Sequence, residues 1–345
     1  MNEPGWTRTG RSGATDRGDE RWAYLGPEGT FTEQAARDLA GRTGAAAAAG
    51  HPELVPVVSV SEAMAQVRSG AAAAAIAPLE NSVEGSVSLT QDELIHGGEL
   101  RIVAEAFVAV RFDLLVRPGT TAEQIATVGS HPHGLAQVRD YLAQSFPQAR
   151  SVVTSSTAGA AAAVQAGELD AAAAAPVAGE RYGLESLASD IGLNSAAVTR
   201  FVLVRRPARL PSPTGNDRTS LVLGVPNRPG TLLEVLGEIA RRGINLTRLE
   251  SRPTRETMGE YLFLVDADGH LAEPAMADTL SALHRRGALH RFLGSYPRGQ
   301  GQNVPLPAFA TDAAYTAAGG FIDRLGRADG SVTPEAREEN PCDSS

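Results

Sequence analysis

Val67–Pro78 reads VRSGAAAAAIAP, and Val164–Pro176 reads VQAGELDAAAAAP. Each passes from a helical pattern through a glycine C-cap into a short apolar run that a proline closes. Alanine favours helix intrinsically, so a helical alanine run is the competing reading. Five to seven residues bracketed by Gly and Pro nevertheless fit a fully buried strand better than a helix. Two copies of one such unit imply two related α/β halves with a cleft between them, where small ligands bind.

The surrounding sequence extends this pattern. Ala23-Tyr24-Leu25 reads as a first strand, followed by a helix from about Thr32 to Leu39. Val55–Val60 reads as a second strand and Ser61–Ser69 as a helix with Ser61 as its N-cap. Phe107–Val116 fits a strand crossing into the second half, and Arg200–Val204 the strand that returns to the first. The α/β alternation spans residues 22–204. Arg205–Arg218, rich in Pro and Arg, reads as a linker.

A second domain is expected at 219–297. Strands at Ser220–Val225, Ile244–Ser251, Tyr261–Asp266 and His290–Tyr296 alternate with helices at Pro229–Arg241 and Leu271–Arg286. That order is βαββαβ, a ferredoxin-like unit. Residues 1–21 carry no apolar core and read as a disordered tail. Residues 298–345 read as mostly disordered, with at most one short helix near Phe321-Ile322.

Composition removes whole classes of chemistry. A net charge of −9 argues against nucleic acid, and no apolar run approaches the ~20 residues of a membrane span. The N-terminal residues do not read as a secretory signal, so a cytoplasmic location is expected. The sole cysteine is Cys342 and all 31 basic residues are Arg. Disulfides, thiolate metal sites, Schiff bases and a P-loop lysine are therefore not expected. The 7 His residues show no metal-binding spacing, and a metal is not expected. Hydroxyls, amides, carboxylates and arginines remain.

Four polar clusters fall at strand-to-helix junctions, where free N–H groups and the helix dipole favour anions. They are Gly26–Phe31, Glu80–Gly85, Ser130–His133 with Gln137 one turn on, and Thr154–Thr157. Helix capping alone accounts for any one of them. Four at the strand ends facing one cleft fit a small-anion crevice. Thr199-Arg200-Phe201 combines a hydroxyl, a fixed cation and a ring, which suits an apolar, multiply anionic substrate that must lose a hydroxyl. The plainer alternative is a strand end with one solvated Arg and a core Phe. Glu80 reads equally as an acid or as a turn residue.

The ordered segments GPEGTFTEQAA (26–36), APLENSVEGSV (77–87), GSHPHGLAQ (129–137) and VTRFVLV (198–204) resemble the prephenate dehydratases of phenylalanine biosynthesis. The second domain is similar to their ACT regulatory module, through Gly230-Thr231-Leu232-Leu233 and Glu250-Ser251-Arg252-Pro253. The resemblance runs from Trp22 to about Arg298. It implies a two-lobed, periplasmic-binding-protein-like catalytic domain followed by an ACT domain. It also implies conversion of prephenate to phenylpyruvate, CO₂ and water without cofactor or metal.

By the same resemblance Thr199 lies at the leaving hydroxyl, Arg200 grips a carboxylate and Phe201 belongs to the catalytic triplet. Glu80 is the candidate source of the proton. Asn81, Ser82, Ser130, His131, Gln137, Thr30 and Thr157 are the expected substrate contacts. L-Phenylalanine is the implied effector, held by Asn227, Gly230, Thr231, Leu232, Asn245, Leu246, Glu250 and Ser251 between two ACT domains of a homodimer or homotetramer. Ala197 stands where the family commonly has Asn, and Thr231 and Leu233 replace the usual Ala and Val. Arogenate as substrate, a non-catalytic ligand-binding protein and a purely regulatory protein are the competing readings.

Overall fold

Both alanine runs are strands. In the computed structural model, which describes residues 21–42 and 51–325, the first lobe begins with β1 (Arg21–Leu25), α1 (Phe31–Arg42), β2 (Glu53–Val57) and α2 (Val60–Ser69). It continues through β3 (Ala74–Asn81), β4 (Gly85–Ser86), α3 (Ser88–His96) and β5 (Arg101–Ala109). The second lobe holds β6 (Asp113–Val116), β7 (Thr127–Ser130), α4 (Pro132–Ser145), β8 (Arg150–Val153), α5 (Thr157–Gln165), β9 (Ala171–Ala174), α6 (Pro176–Tyr182) and β10 (Glu185–Ala188). β11 (Val198–Arg205) then returns to the first.

The sheets run β2-β1-β3-β11-β5, with β4 beside β3, and β10-β6-β9-β7-β8. Each contains three parallel strands, β2-β1-β3 and β8-β7-β9, followed by an antiparallel one. The repeat seen in the sequence is thus a repeat of topology. Alanine suits β9 because both faces are covered: Ala171 and Ala173 join one core, Ala172 and Ala174 another, and all are fully buried. The N-cap of α2 is Ser59, whose Oγ accepts from Glu62 N at 3.1 Å, two residues before the expected Ser61.

The second domain comprises β12 (Asp217–Gly224), α7 (Thr231–Ala240), β13 (Leu246–Pro253), β14 (Tyr261–Asp268), α8 (Pro274–Arg285) and β15 (Leu289–Pro297). Its antiparallel sheet has the order β13-β14-β12-β15. Gly230, at φ +85°, caps α7, so Pro229 precedes the helix instead of opening it. One sheet face lies under α7 and α8, where Leu221, Leu223 and Val265 meet Val235, Ile239 and Leu283. The other face carries Val222, Leu262, Leu264, Leu293 and Tyr296 into a core that includes Leu79, Ile102, Val202 and Val204 of the first lobe. The two domains therefore share a core.

The C-terminal region departs from expectation. Leu306 and Tyr315 pack on the second domain's core, and residues 312–325 form a helix, α9 (Asp312–Leu325). Its apolar anchors are too sparse to mark it as docked structure in the sequence. Of the expected tail at 1–21, Arg21 opens β1 and residues 1–20 lie outside the described residues, as does the segment 326–345.

At the centre of the shared interface is a charged cluster. Glu105 of β5 accepts from Arg200 Nε at 2.7 Å, Arg218 Nη1 at 2.7 Å and Gly299 N at 3.0 Å. Arg200 Nη1 donates to Asp266 at 2.5 Å and its Nη2 to the Tyr296 hydroxyl at 3.0 Å. Burial alone would raise the Asp266 carboxyl, but the guanidinium groups of Arg200, Arg248 and Arg218, with a hydrogen bond from Ser220, bring it down to about 2. Two cations and two anions balance, which makes their complete burial tolerable.

Two predictions follow from this seam. A Cβ on Gly294, whose φ is +139°, would overlap the Ile102 carbonyl oxygen. Gly294→Ala is expected to cost about 1–3 kcal/mol, read as a lower urea midpoint. Asp266→Asn is expected to cost about 3–5 kcal/mol at neutral pH, because it leaves Arg200 partly uncompensated. The folded carboxyl sits below its unfolded value of about 3.9. Its contribution is therefore complete above that value and lost as pH falls toward about 2. Urea titrations should give a constant wild-type advantage from roughly pH 5 to 8, shrinking below about pH 4.

Candidate active site

The cleft between the lobes has a volume of about 1000 Å³. Its walls come from the C-terminal ends of β1, β3, β7 and β8 and from the helix starts that follow them, with the N-terminal end of antiparallel β11. Thr199 and Phe201 reach it from β11, and Asn81 from the end of β3. Asn81 Nδ2 donates to Thr199 Oγ1 at 2.8 Å. Asn81 Oδ1 in turn accepts from Val83 N at 2.8 Å and Glu84 N at 3.0 Å, which fixes which way the amide points. Because Thr199 Oγ1 accepts from Asn81, its own proton is free to be donated into the cleft.

Strand alternation explains what else reaches the cleft. Along β11, Thr199 and Phe201 face one way, and Arg200, Val202 and Val204 face the second domain. Arg200 is 4 % exposed and fully engaged by Glu105, Asp266 and Tyr296. The expected carboxylate grip by Arg200 is corrected on that ground. Glu80 is corrected too. The β3–β11 register shifts between Arg200 and Phe201, pairing Arg200 with Glu80 and Phe201 with Pro78. This bulge puts Leu79 in the shared core and aims Glu80 at Arg248, 3.5 Å away in the second domain.

Three of the other expected contacts lie outside the cleft lining. Ser82 Oγ accepts from Val198 N at 2.9 Å, pinning β11. Ser130 Oγ is fully buried and donates to the Ala173 carbonyl at 2.6 Å, and Gln137 is a backbone acceptor for Leu193 N at 2.7 Å. Thr30, His131 and Thr157 do line the cleft. The lining also includes Glu84, His133, Ser155, Ser156 and Phe31, which the sequence marked only as members of the polar clusters, and an apolar wall of Val110 and Phe112 that it did not mark. The apolar wall offers no signal that separates it from core.

No arginine is among the described residues lining the cleft. The starts of α1, α4 and α5 line it instead, and helix N-termini favour anions. Ser156 Oγ satisfies Gly159 N at 2.8 Å, and Thr30 Oγ1 accepts from Glu33 N at 3.4 Å. The lobes also touch directly. His133 Nδ1 lies 2.6 Å from Glu84 Oε1, Tyr182 donates to the Glu28 carbonyl at 3.1 Å, and Phe31 meets Phe112 edge-on at 5.8 Å. A hydrogen bond from Arg181 holds the Glu28 carboxyl below its ordinary range, so this inter-lobe pair is charged near neutrality.

A second pocket, of about 250 Å³, lies in the other domain. Asn227, Gly230, Thr231 and Leu232 line it as expected, together with Arg228, Tyr261 and Phe263. Asn227 Nδ2 closes it by donating to the Gly259 carbonyl at 2.9 Å, and Thr231 Oγ1 holds the loop through the Pro226 carbonyl at 2.7 Å. Asn245, Leu246, Glu250 and Ser251 lie outside this lining. Asn245 donates to Asp268 at 2.9 Å, Leu246 packs on the domain core and Ser251 is exposed. Glu250 accepts from Ser86 and from Gln91 Nε2 at 2.8 Å, clamping the domain to the first lobe. Burial alone would raise its carboxyl; the bonds from Ser86 and Gln91 and the charges of Arg248 and Arg252 lower it.

Comparison with known proteins agrees with this geometry. The prephenate dehydratase family profile matches residues 22–209 and the ACT domain profile residues 219–285. A prephenate dehydratase of Amycolatopsis methanolica is 50 % identical over 308 residues, covering 89 % of this chain and 98 % of the relative. The crystal structure of prephenate dehydratase in complex with L-Phe from Arthrobacter aurescens superposes with a TM-score of 0.78 at 42 % identity, covering 88 % of this chain and 99 % of that one. A structure described as a novel type of quorum quenching acylase, GqqA, superposes with a TM-score of 0.70 at 34 % identity, covering 80 % and 97 %. The cleft with its Thr199–Asn81 pair and the ACT domain docked behind it thus belong to an enzyme of the prephenate dehydratase family.

Proposed function

We propose that this chain converts prephenate to phenylpyruvate at the inter-lobe cleft, in the cytoplasm, under control of L-phenylalanine bound at the ACT loop. The observation that carries the chemistry is the Thr199 hydroxyl, oriented by Asn81 so that its proton faces the cleft. In the reaction the ring C–O bond and the C–CO₂⁻ bond both break. The electron pair of the C–C bond enters the ring, which becomes aromatic as hydroxide departs. The barrier lies in charge building on the leaving oxygen, where an oriented donor acts. Thr199 is a poor acid and serves as a hydrogen-bond donor. Glu84, His131 and His133 are the titratable groups of the cleft that can relay the proton completing water.

The two substrate carboxylates are held by the N-termini of α1, α4 and α5 in place of an arginine. Phe31, Phe112 and Phe201 shield the ring from water. The names of the relatives support prephenate over arogenate as the substrate. Acyl hydrolysis, the activity named for the GqqA structure, would need a base against the hydroxyl. Thr199 Oγ1 has an amide donor there instead.

Thr199→Ala is expected to lower kcat by about 2–4 kcal/mol of transition-state stabilisation, roughly 30- to 1000-fold, with KM little changed. Asn81→Asp should act in the same direction, since a carboxylate would accept the hydroxyl proton and repel the departing hydroxide. Glu80→Gln is expected to keep kcat within about threefold of wild type. Phenylpyruvate absorbance with prephenate as substrate gives all three values, and a normal kcat in Thr199→Ala would remove it from the mechanism.

At the ACT domain, the free N–H groups at the start of α7 suit an amino acid carboxylate, and Tyr261 and Phe263 offer a surface for an aromatic ring. The L-Phe complex of the Arthrobacter relative supports this reading. Homodimers or homotetramers are supported by β13, an open sheet edge that exposes Thr247, Leu249, Ser251 and Pro253. Thr231→Val, which removes the hydroxyl whose one proton is shared between the Pro226 and Arg228 carbonyls, is expected to weaken L-phenylalanine binding about tenfold. Titration calorimetry measures this, and unchanged affinity would move the effector elsewhere.

A further inference from the structure

Resting on the reading that L-phenylalanine binds the ACT loop, we propose that Arg200 is a positioning residue through which the ACT domain sets Thr199. Arg200 touches no cleft surface, yet it is the chain neighbour of Thr199, with Cα atoms about 3.8 Å apart on one strand. Its guanidinium is held from three directions. Glu105 grips it from the first lobe, and Asp266 and Tyr296 grip it from the ACT domain. Ser220 ties Asp266 and Tyr296 together at 2.5 and 2.6 Å, and Arg218 shares the Glu105 carboxylate.

Two ACT strands that carry members of this cluster, β14 and β12, reach the effector pocket. Tyr261 and Phe263 line that pocket, and Asp266 lies three residues on along β14, about 10 Å away. β12 carries Arg218 and Ser220 and runs directly into Val225, which lines the pocket. Any shift of these strands on ligand binding moves the groups that hold Arg200. The partner of Thr199 has a weaker tie: Asn81 follows Glu80, which faces Arg248 of β13, and Glu80 pairs in register with Arg200. The Glu80 contact is loose and half-exposed, so the firm anchor of the Thr199–Asn81 pair on the ACT domain is Arg200. A fraction of an ångström between Thr199 and Asn81 changes the aim of the donated proton. Substrate affinity, set by the helix N-termini, is left alone.

The test uses full-length Tyr296→Phe, which removes one hydroxyl and leaves the packing, with Asp266→Asn and Arg200→Gln beside it. Kinetics with prephenate, with and without L-phenylalanine, are paired with calorimetry of L-phenylalanine binding. Tyr296→Phe and Asp266→Asn are expected to bind L-phenylalanine within about threefold of wild type while their catalytic response to it falls at least about fivefold. Arg200→Gln is expected to lower kcat at least about tenfold with KM within about threefold. If it fails to fold, Tyr296→Phe decides alone.

A full response retained in Tyr296→Phe and Asp266→Asn would overturn the proposal. So would a raised KM at constant kcat in Arg200→Gln, which would make Arg200 a substrate ligand. Wild type that gives no heat with L-phenylalanine would sink the effector reading separately. The positioning role is then judged by the kcat and KM split of Tyr296→Phe and Arg200→Gln.

Discussion

The buried guanidinium of Arg200 fixes how this molecule is put together. Taking two arginines and two carboxylates out of water has a large desolvation cost that their mutual attraction only roughly offsets. Such a cluster is a poor source of net stability. What it supplies is geometry, because each ion has few positions in which it is satisfied. Glu105 and Arg200 belong to the first lobe, and Asp266, Arg218 and Tyr296 to the ACT domain. Only one relative placement of the domains satisfies all of them. The shared apolar core around Leu264, Leu293 and Val202 then stabilises that placement.

One consequence concerns the cleft. With Arg200 turned away, the cleft carries no fixed cation among its described lining residues. The proposed substrate would meet helix N-termini instead, which bind anions without long, flexible side chains that must be ordered first. Phe201, Phe31 and Phe112 line the same cleft as Thr199, and an oriented donor has more effect where such walls exclude water. The comparison with GqqA shows why the site and not the fold has to carry the functional argument. Two chains of one architecture bear two names for their chemistry.

Much of this was legible in the sequence. The doubled Gly-to-Pro alanine units gave the lobes, and βαββαβ periodicity gave the ACT domain. Thr199, Phe201 and Asn81 were identified along with three further cleft residues, because hydroxyls and amides at strand ends are visible as residue types. Arg200 and Glu80 were misread for a definite physical reason. Glu80 lies at a bulge of β3, where period-two alternation no longer assigns faces, whereas Arg200 obeys the alternation of β11, which by itself does not say which face meets the cleft. Nor does a sequence reveal that a carboxylate far along the chain will meet an arginine; Asp266 is 66 residues from Arg200. The docking role of Glu250 and the order of residues 312–325 were hidden likewise, since each depends on a surface contributed by another element.

The Thr-Arg-Phe triplet then makes sense as three residues facing two ways. Phe201 and Thr199 meet the substrate side, and Arg200 meets the regulatory domain. A strand is the natural element for such a device, because adjacent side chains point to opposite faces while their backbone remains continuous. A helix would spread the same three residues over several faces, and a loop would absorb the motion. In a strand clamped between β3 and β5, a displacement imposed on Arg200 has little choice but to travel along the backbone to Thr199. The cleft hydroxyl and the anchor on the ACT domain are therefore separated by one peptide bond, although they face opposite sides of the sheet.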